Sequence, residues 1–280
     1  MEKGADIGAQ GGWYGNALQA ASYEGHEAIA KLLISQGADV HAQGGHYGNA
    51  LQAASYDGNK ATTNLLIEKG ADVNAQGGAC GNALQAASYQ GHEAITKLLI
   101  DNGADVYAHG GCYGNSLQTA SFHGHETITN LLIKKGANVN AQGGQYGNAL
   151  QAASYGGYET ITKLLIEKGA DVNAQGGHYG NALQAASYGG YQVITTLLIE
   201  KGANVNAWGG KYGSALQAAS YGGHESITHL LIEKGADVNA QGGCFKNALQ
   251  AASYADHKAI AKLLIENGAH VNTSQMYPGY

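Results

Sequence analysis

The chain is 280 residues long with a formal net charge of −6, and all 15 of its basic residues are lysine. Arginine is the side chain best matched to phosphate and base edges, so a chain without it argues against a nucleic-acid partner. No apolar run is long enough to span a membrane, residues 1–21 lack the charged-then-apolar order of a signal peptide, and the three cysteines, Cys80, Cys112 and Cys244, show no CxxC spacing. These features fit an intracellular, reducing compartment, with the cytoplasm as the expected location.

A 33-residue period runs from end to end, with Gly4-Ala5-Asp6 returning at Gly37, Gly70, Gly103, Gly136, Gly169, Gly202, Gly235 and Gly268. Such a period marks a solenoid, in which each repeat buries its apolar face only by stacking on its neighbours. A single array is therefore expected in place of the two domains that the length alone suggests. The repeats fall at about 11–43, 44–76, 77–109, 110–142, 143–175, 176–208, 209–241 and 242–274, with a tail at 275–280.

At the start, Met1-Glu2-Lys3-Gly4 matches Ile199-Glu200-Lys201-Gly202, so the chain begins inside the end of a second helix. A capping repeat usually precedes such a start, and we expect this chain to be part of a longer protein. Within a repeat, Val172 to Gly180 contains Asn and three Gly and reads as a loop. Asn181 is a favoured N-cap, Gln184 three residues later can act with it as an Asn-x-x-Gln capping box, and the Gln file from Gln19 to Gln250 is explained by capping and by bonds between repeats. Helix one then runs from Ala182 to about Tyr188, rich in alanine so that neighbours approach closely, and ends at Gly189-Gly190. Helix two carries Ile194, Leu197, Leu198 and Ile199 on one stripe and stops at Gly202. In the last repeat Ala255-Asp256-His257-Lys258 replaces Gly-Gly-His-Glu, and Thr273 to Tyr280 leaves the pattern as a slightly more polar terminus.

The period, the Gly-Ala-Asp-Val-Asn-Ala segment, the Gly91-His92 turn and the Leu-Leu-Ile run resemble ankyrin repeats. The departure is the Thr-Pro-Leu-His signature, which stands here as Asn181-Ala182-Leu183-Gln184 and in near-copies starting at Asn16, Asn49, Asn82, Asn115, Asn148, Ser214 and Asn247. The capping box preserves the helix start, and alanine's helix propensity partly replaces the missing proline. The resemblance implies an all-α ankyrin-repeat solenoid of eight helix pairs with projecting hairpin-like loops, helix one on the concave side and helix two on the convex back. With helices roughly 8–10 Å apart, eight repeats span about 65–80 Å, a groove suited to a protein or peptide and not to a small-molecule substrate. Near-identical repeats with Asn-Ala-Leu-Gln-Ala-Ala-Ser and Gly-Gly-x-Tyr-Gly also resemble the arrays of NACHT-type receptors in filamentous fungi, which implies a ligand-sensing part of a larger receptor.

Variation between repeats concentrates at two places. The loop tip after Gly-Gly reads Trp13, His46, Ala79, Cys112, Gln145, His178, Lys211 and Cys244; the end of helix one reads Glu24, Asp57, Gln90, His123, Gly156, Gly189, Gly222 and Ala255. Loops held by a rigid scaffold carry binding residues, so we read these places as recognition positions over the alternative of neutral drift. Beside them run two aromatic files: Tyr23, Tyr56, Tyr89, Phe122, Tyr155, Tyr188, Tyr221 and Tyr254 at the helix end, and Tyr14, Tyr47, Tyr113, Tyr146, Tyr179, Tyr212 and Phe245 in the loop, with Cys80 as the gap. Tyrosine suits adaptable protein-binding surfaces, but a stacking ladder explains constant tyrosines equally well. Stacking is preferred for the loop file, and both readings stand for the helix-end file.

Other chemistry is weak. The turn histidines His26, His92, His125, His224 and His257 lack zinc-ligand spacing, and in the ankyrin pattern they hydrogen-bond locally. The Gly-Gly-x-Tyr-Gly loop lacks the Lys-Ser or Lys-Thr of a phosphate loop. Every Ser, His and carboxylate recurs for positional reasons, so no unique nucleophile and base stand out. Glu159, Lys163, Glu167 and Lys168 belong to a solvated back face, leaving a near-neutral concave side whose binding depends weakly on salt. The expected function is a non-catalytic module, with no cofactor or metal, that binds intracellular proteins through loop tips and inner helices. A structural spacer, and an enzyme acting through a metal at the histidine file, are the competing readings.

Overall fold

The computed structural model describes residues 6–270, so the expectations for Met1 to Gly4 and for 273–280 lie outside the described residues. The chain falls into two compact units, Met1–Gln145 and Tyr146–Tyr280. The first contains α1 (Ala17–Tyr23), α2 (Glu27–Ser35), α3 (Ala50–Asp57), α4 (Lys60–Glu68), α5 (Ala83–Gln90), α6 (Glu93–Asp101), a hairpin of β1 (His109–Gly110) and β2 (Gly114–Asn115), α7 (Ser116–His123) and α8 (Glu126–Lys134). The second contains α9 (Ala149–Gly156), α10 (Glu159–Glu167), α11 (Ala182–Gly189), α12 (Gln192–Glu200), α13 (Ala215–Gly222), α14 (Glu225–Glu233), α15 (Ala248–Tyr254) and α16 (Lys258–Glu266). The helices pair as an ankyrin-repeat solenoid requires. Each first helix packs on its own second helix, and within each unit it packs on the first helices of adjacent repeats, as α11 does on α12, α9 and α13.

The Asn cap forms as the sequence predicts. Asn181 is extended, and its Oδ1 accepts from Gln184 N at 2.8 Å; the same bond recurs in the other repeats, with Ser214 Oγ as the acceptor in one of them. The reciprocal half of the capping box does not form. The Gln184 side chain instead reaches forward into the next loop, where Nε2 donates to Gly213 O at 2.9 Å, Gly209 O at 3.2 Å and Ala207 O at 3.4 Å. Its Oε1 lies on Gly180, in the space that a Cβ there would fill, while Gly180 itself sits at φ +95°. Glycine at that place thus serves the glutamine four residues on, and the departure from the ankyrin signature converts a helix-start residue into a clamp between repeats.

Helix one runs one residue further than expected in six of the eight repeats, ending at a left-handed glycine such as Gly190, whose N–H bonds to Ala186 O. Ala185 and Ala186 are wholly buried, which lets the first helices pack closely. The buried stripe of helix two is Ile194, Thr195 and Leu198; Leu197 and Ile199 are only half-buried, correcting the wider stripe drawn from sequence. In two repeats the core threonine turns its hydroxyl back to its own helix, Thr228 Oγ1 to His224 O at 3.0 Å and Thr63 Oγ1 to Asn59 O at 2.9 Å, whereas the Thr195 hydroxyl is buried without a hydrogen-bond partner.

The loops are hairpin-like and, except for the last, closed by an antiparallel bridge such as Gly176 with Gly180 or Gly209 with Gly213; in the last, Gly242 N donates to Lys246 O at 2.6 Å. The β1–β2 hairpin is the same feature, extended by the pair His109 and Asn115.

Substituting Gln184→Leu keeps the volume but leaves buried carbonyls of the next loop without their donor, and we expect a loss of about 2–3 kcal/mol. Urea denaturation checks this, and an unchanged transition would show that the glutamine clamp contributes nothing.

Candidate recognition surface

Two further side-chain files cross from repeat to repeat. The turn histidines do not bond locally, as the ankyrin resemblance implied. Nε2 of His92, His125, His224 and His257 donates to the carbonyl of the helix-end residue one repeat back, Tyr56, Tyr89, Tyr188 and Tyr221, at 2.8–3.1 Å. A carbonyl only accepts, so the proton is on Nε2. The ring lies against a glycine of the preceding turn, where no side chain would fit, as His224 does on Gly190. In the loop approach, Asn173 Nδ2 donates to Gly202 O at 3.0 Å and its Oδ1 accepts from Asn204 N at 2.8 Å; Asn74, Asn206 and Asn239 do the same in their repeats.

Held this way, the loop tips line up. His46 N donates to Trp13 O, Ala79 N to His46 O and Gln145 N to Cys112 O in the first unit; Lys211 N donates to His178 O and Cys244 N to Lys211 O in the second, all at 2.8–3.0 Å. All eight tip residues that the sequence singles out are exposed, Trp13 by 60%. Four of these side chains are nevertheless ordered by rings beneath or beside them. Trp13 stacks on His46 at 4.1 Å, His46 and His178 stand edge-on to Tyr47 and Tyr179, and Lys211 Nζ lies 5.4 Å from the centre of the Tyr212 ring.

The two aromatic files merge into one ladder in each unit. In the second, each loop ring stacks on the helix-end ring of the repeat before it, Tyr155 with Tyr179, Tyr188 with Tyr212 and Tyr221 with Phe245, at 4.6–4.8 Å. In the first unit Tyr23 stacks on Tyr47 at 4.8 Å. Both files therefore pack. Tyr212 is 2% exposed, whereas Tyr23, Tyr56, Tyr89, Phe122, Tyr155, Tyr188 and Tyr221 are half-buried and Tyr254 is 72% exposed. Burial, and then a hydrogen bond to the hydroxyl of Tyr23, Tyr155 or Tyr188, raises the phenol pKa of Tyr47, Tyr179 and Tyr212.

The helix-end variable residues divide by environment. Glu24, Asp57 and Gln90 are exposed, with Glu24 accepting from the Tyr14 hydroxyl at 3.1 Å and Asp57 from Asn59 Nδ2 at 3.1 Å. Two exposed aromatics were not singled out from sequence. Trp208, 65% exposed, stands where the other loops carry Gln or, once, His109, and covers Gly242, and Tyr107, 58% exposed, replaces the bridging Asn. Their signal was the break with the repeat consensus. Among the described residues no three His, Cys, Asp or Glu side chains are grouped to hold a metal ion, and no helix is long and apolar enough to cross a membrane.

His123 is half-buried, its ring 4.2 Å from that of Tyr89 and 4.8 Å from that of Phe122. Burial and then the neighbouring His125 lower its pKa from 6.5 to about 4. The folded state therefore keeps His123 neutral where the unfolded chain takes up a proton, so its contribution is whole above pH 6.5 and is lost as pH falls through about 4. We expect His123→Gln to lose less stability than the unsubstituted chain between pH 7 and pH 4, as read by thermal melts; equal losses would remove His123 as a cause.

A family model described as ankyrin repeats (3 copies) matches residues 1–77, 51–143, 117–208, 150–242 and 183–275. The ankyrin repeat domain of human ASB11, known from a crystal structure, is similar at a TM-score of 0.68 and 25% identity, covering 79% of this chain and 99% of that one. No curated protein matches the sequence. The overlapping matches along the chain, and the paired helices and bridged loops they fall on, make this chain a member of the ankyrin repeat family.

Proposed function

We propose that the chain is a non-catalytic recognition module that binds protein partners through its loop tips, with the exposed helix-end side chains beside them. The observation that carries this reading is the contrast within each loop. Most positions beneath the tip repeat and are buried or bonded to the next repeat, with Cys80, Tyr107 and Trp208 as exceptions, while the tip changes chemistry from indole to imidazole to thiol to ammonium and is exposed throughout. Trp13 and His46 form a stacked apolar pair, and aromatic anchors of this kind carry a large share of binding energy in protein interfaces. Because the tips are already fixed by backbone hydrogen bonds, little ordering entropy is lost on binding. The helix-end tyrosines support the tips by packing, and Tyr254, with its exposed ring, adds contact area of its own.

The exposed Lys and Glu of the second helices, such as Glu159, Lys163, Glu167 and Lys168, lie away from the tips, so affinity should depend weakly on salt. Replacing Trp13, His46, His178 and Lys211 together by Ala tests the reading. We expect partners captured by proximity labelling and pull-down to be lost while thermal stability changes by no more than about 1 kcal/mol, since the substituted side chains are exposed. Partners retained by the stable variant would leave a structural spacer as the better account.

A further inference from the structure

Of the eight repeats, six place tyrosine and one places Phe245 in the loop rank of the aromatic ladder; only the repeat of Cys80 has a small side chain there. Its neighbours do not close the space. The flanking helix-end rings Tyr56 and Tyr89 stand 5.6 Å apart, against 6.3 Å for Tyr155 and Tyr188 and 6.2 Å for Tyr188 and Tyr221, so the ladder has contracted by less than one ångström. A cavity of about 170 Å³ remains, lined by Tyr56, Cys80, Tyr89, Cys112, Tyr113 and Thr119 among others. A space of roughly 150 Å³ accommodates a benzene-sized ring. Thr119 stands where other repeats carry Ala, and its hydroxyl donates to Asn115 O at 2.8 Å, so it is satisfied within its own helix start.

We propose that this gap is a binding site for one phenol ring, which takes the place that tyrosine fills in the neighbouring repeats. The rest of the ladder defines the pose. The ring lies on Tyr56 as Tyr47 lies on Tyr23 and Tyr212 on Tyr188, both at 4.8 Å. Its hydroxyl meets that of Tyr56, the pairing that Tyr47, Tyr179 and Tyr212 make with the tyrosine one repeat back. The bound ring covers the Cys80 thiol, which is already partly buried and has a pKa raised by that burial to about 11. The mouth lies among exposed tips, beside Ala79, which has the smallest side chain of the tip series, and Cys112. A tyrosine side chain of a polypeptide and a free phenolic compound offer the same group. The site does not depend on the tip surface being a protein-binding face.

The probe is p-cresol, the tyrosine side chain as a free molecule, added to the full chain. We expect it to slow iodoacetamide modification of Cys80 several-fold while Cys244 reacts at an unchanged rate, read by mass spectrometry. Toluene, which lacks the hydroxyl, should protect several-fold less well. Cys80→Tyr fills the gap from within; it should raise the melting temperature and abolish the saturation-transfer NMR signal of p-cresol. A short Gly-Ser peptide with one tyrosine separates the sources, since tighter binding than p-cresol assigns the site to polypeptide and weaker binding to a free phenol. No protection of Cys80, equal protection by toluene, or a p-cresol signal that survives in Cys80→Tyr would overturn the proposal. The protection measurement needs no substitution, so it decides the matter even if Cys80→Tyr fails to fold. Its outcome is independent of whether the tip variant keeps its partners.

Discussion

The glutamine at the third position of each first helix is the contact on which the rest of the structure depends. From a buried site its Nε2 donates to two or three carbonyls of the following loop, in a distance range of 2.9–3.4 Å from Gln151 and Gln184. A loop of this length with several glycines has high conformational entropy to lose, and the glutamine fixes three of its carbonyls at once. The requirement propagates backward as well, because the glutamine oxygen occupies the face of the glycine four residues earlier. One side chain thereby links the shape of its own loop to the position of the next.

The histidine and asparagine files add the same kind of link at the turn and at the loop approach wherever those residues occur, so that within a unit repeats are joined at up to three heights. Helix pairs alone give a solenoid its apolar core; these polar contacts fix its register. Buried hydrogen bonds are directional and costly to leave unmade, so a repeat that slips loses several of them together. The aromatic ladder beneath the tips follows from this register, since rings one repeat apart meet at 4.6–4.8 Å only if the loops are held in step.

Much of this was legible in the sequence. The period gave the helix pairs, Asn181 and Gly190 marked the ends of a first helix, and the variable tips stood out by comparison between repeats. What the sequence hid was direction. Gln184 reads both as half of a local capping box and as a bond between repeats, and only the proximity of the next loop shows that its amide takes the second role, with partners 23 to 29 residues on. His224 likewise reads as a local turn residue but bonds 36 residues back. Thr195 was missed in the core because its polar hydroxyl argued against burial, and Trp208 because its position is otherwise filled by glutamine or, once, by His109. In a solenoid, residues on neighbouring repeats are as close as residues in one turn, so spacing within a repeat cannot tell the two kinds of partner apart.

The central claim is that exposed tips are carried on loops made rigid by contacts between repeats. Native-state hydrogen exchange at the tip amides of His46, Ala79, Gln145, Lys211 and Cys244 tests it most directly, because each donates to the tip one repeat back. The account predicts that these amides exchange far more slowly than unstructured loop amides, through openings that expose a whole repeat boundary. Exchange at the rate of free loops would show that the tips are mobile, and the pre-ordered surface would have to be given up.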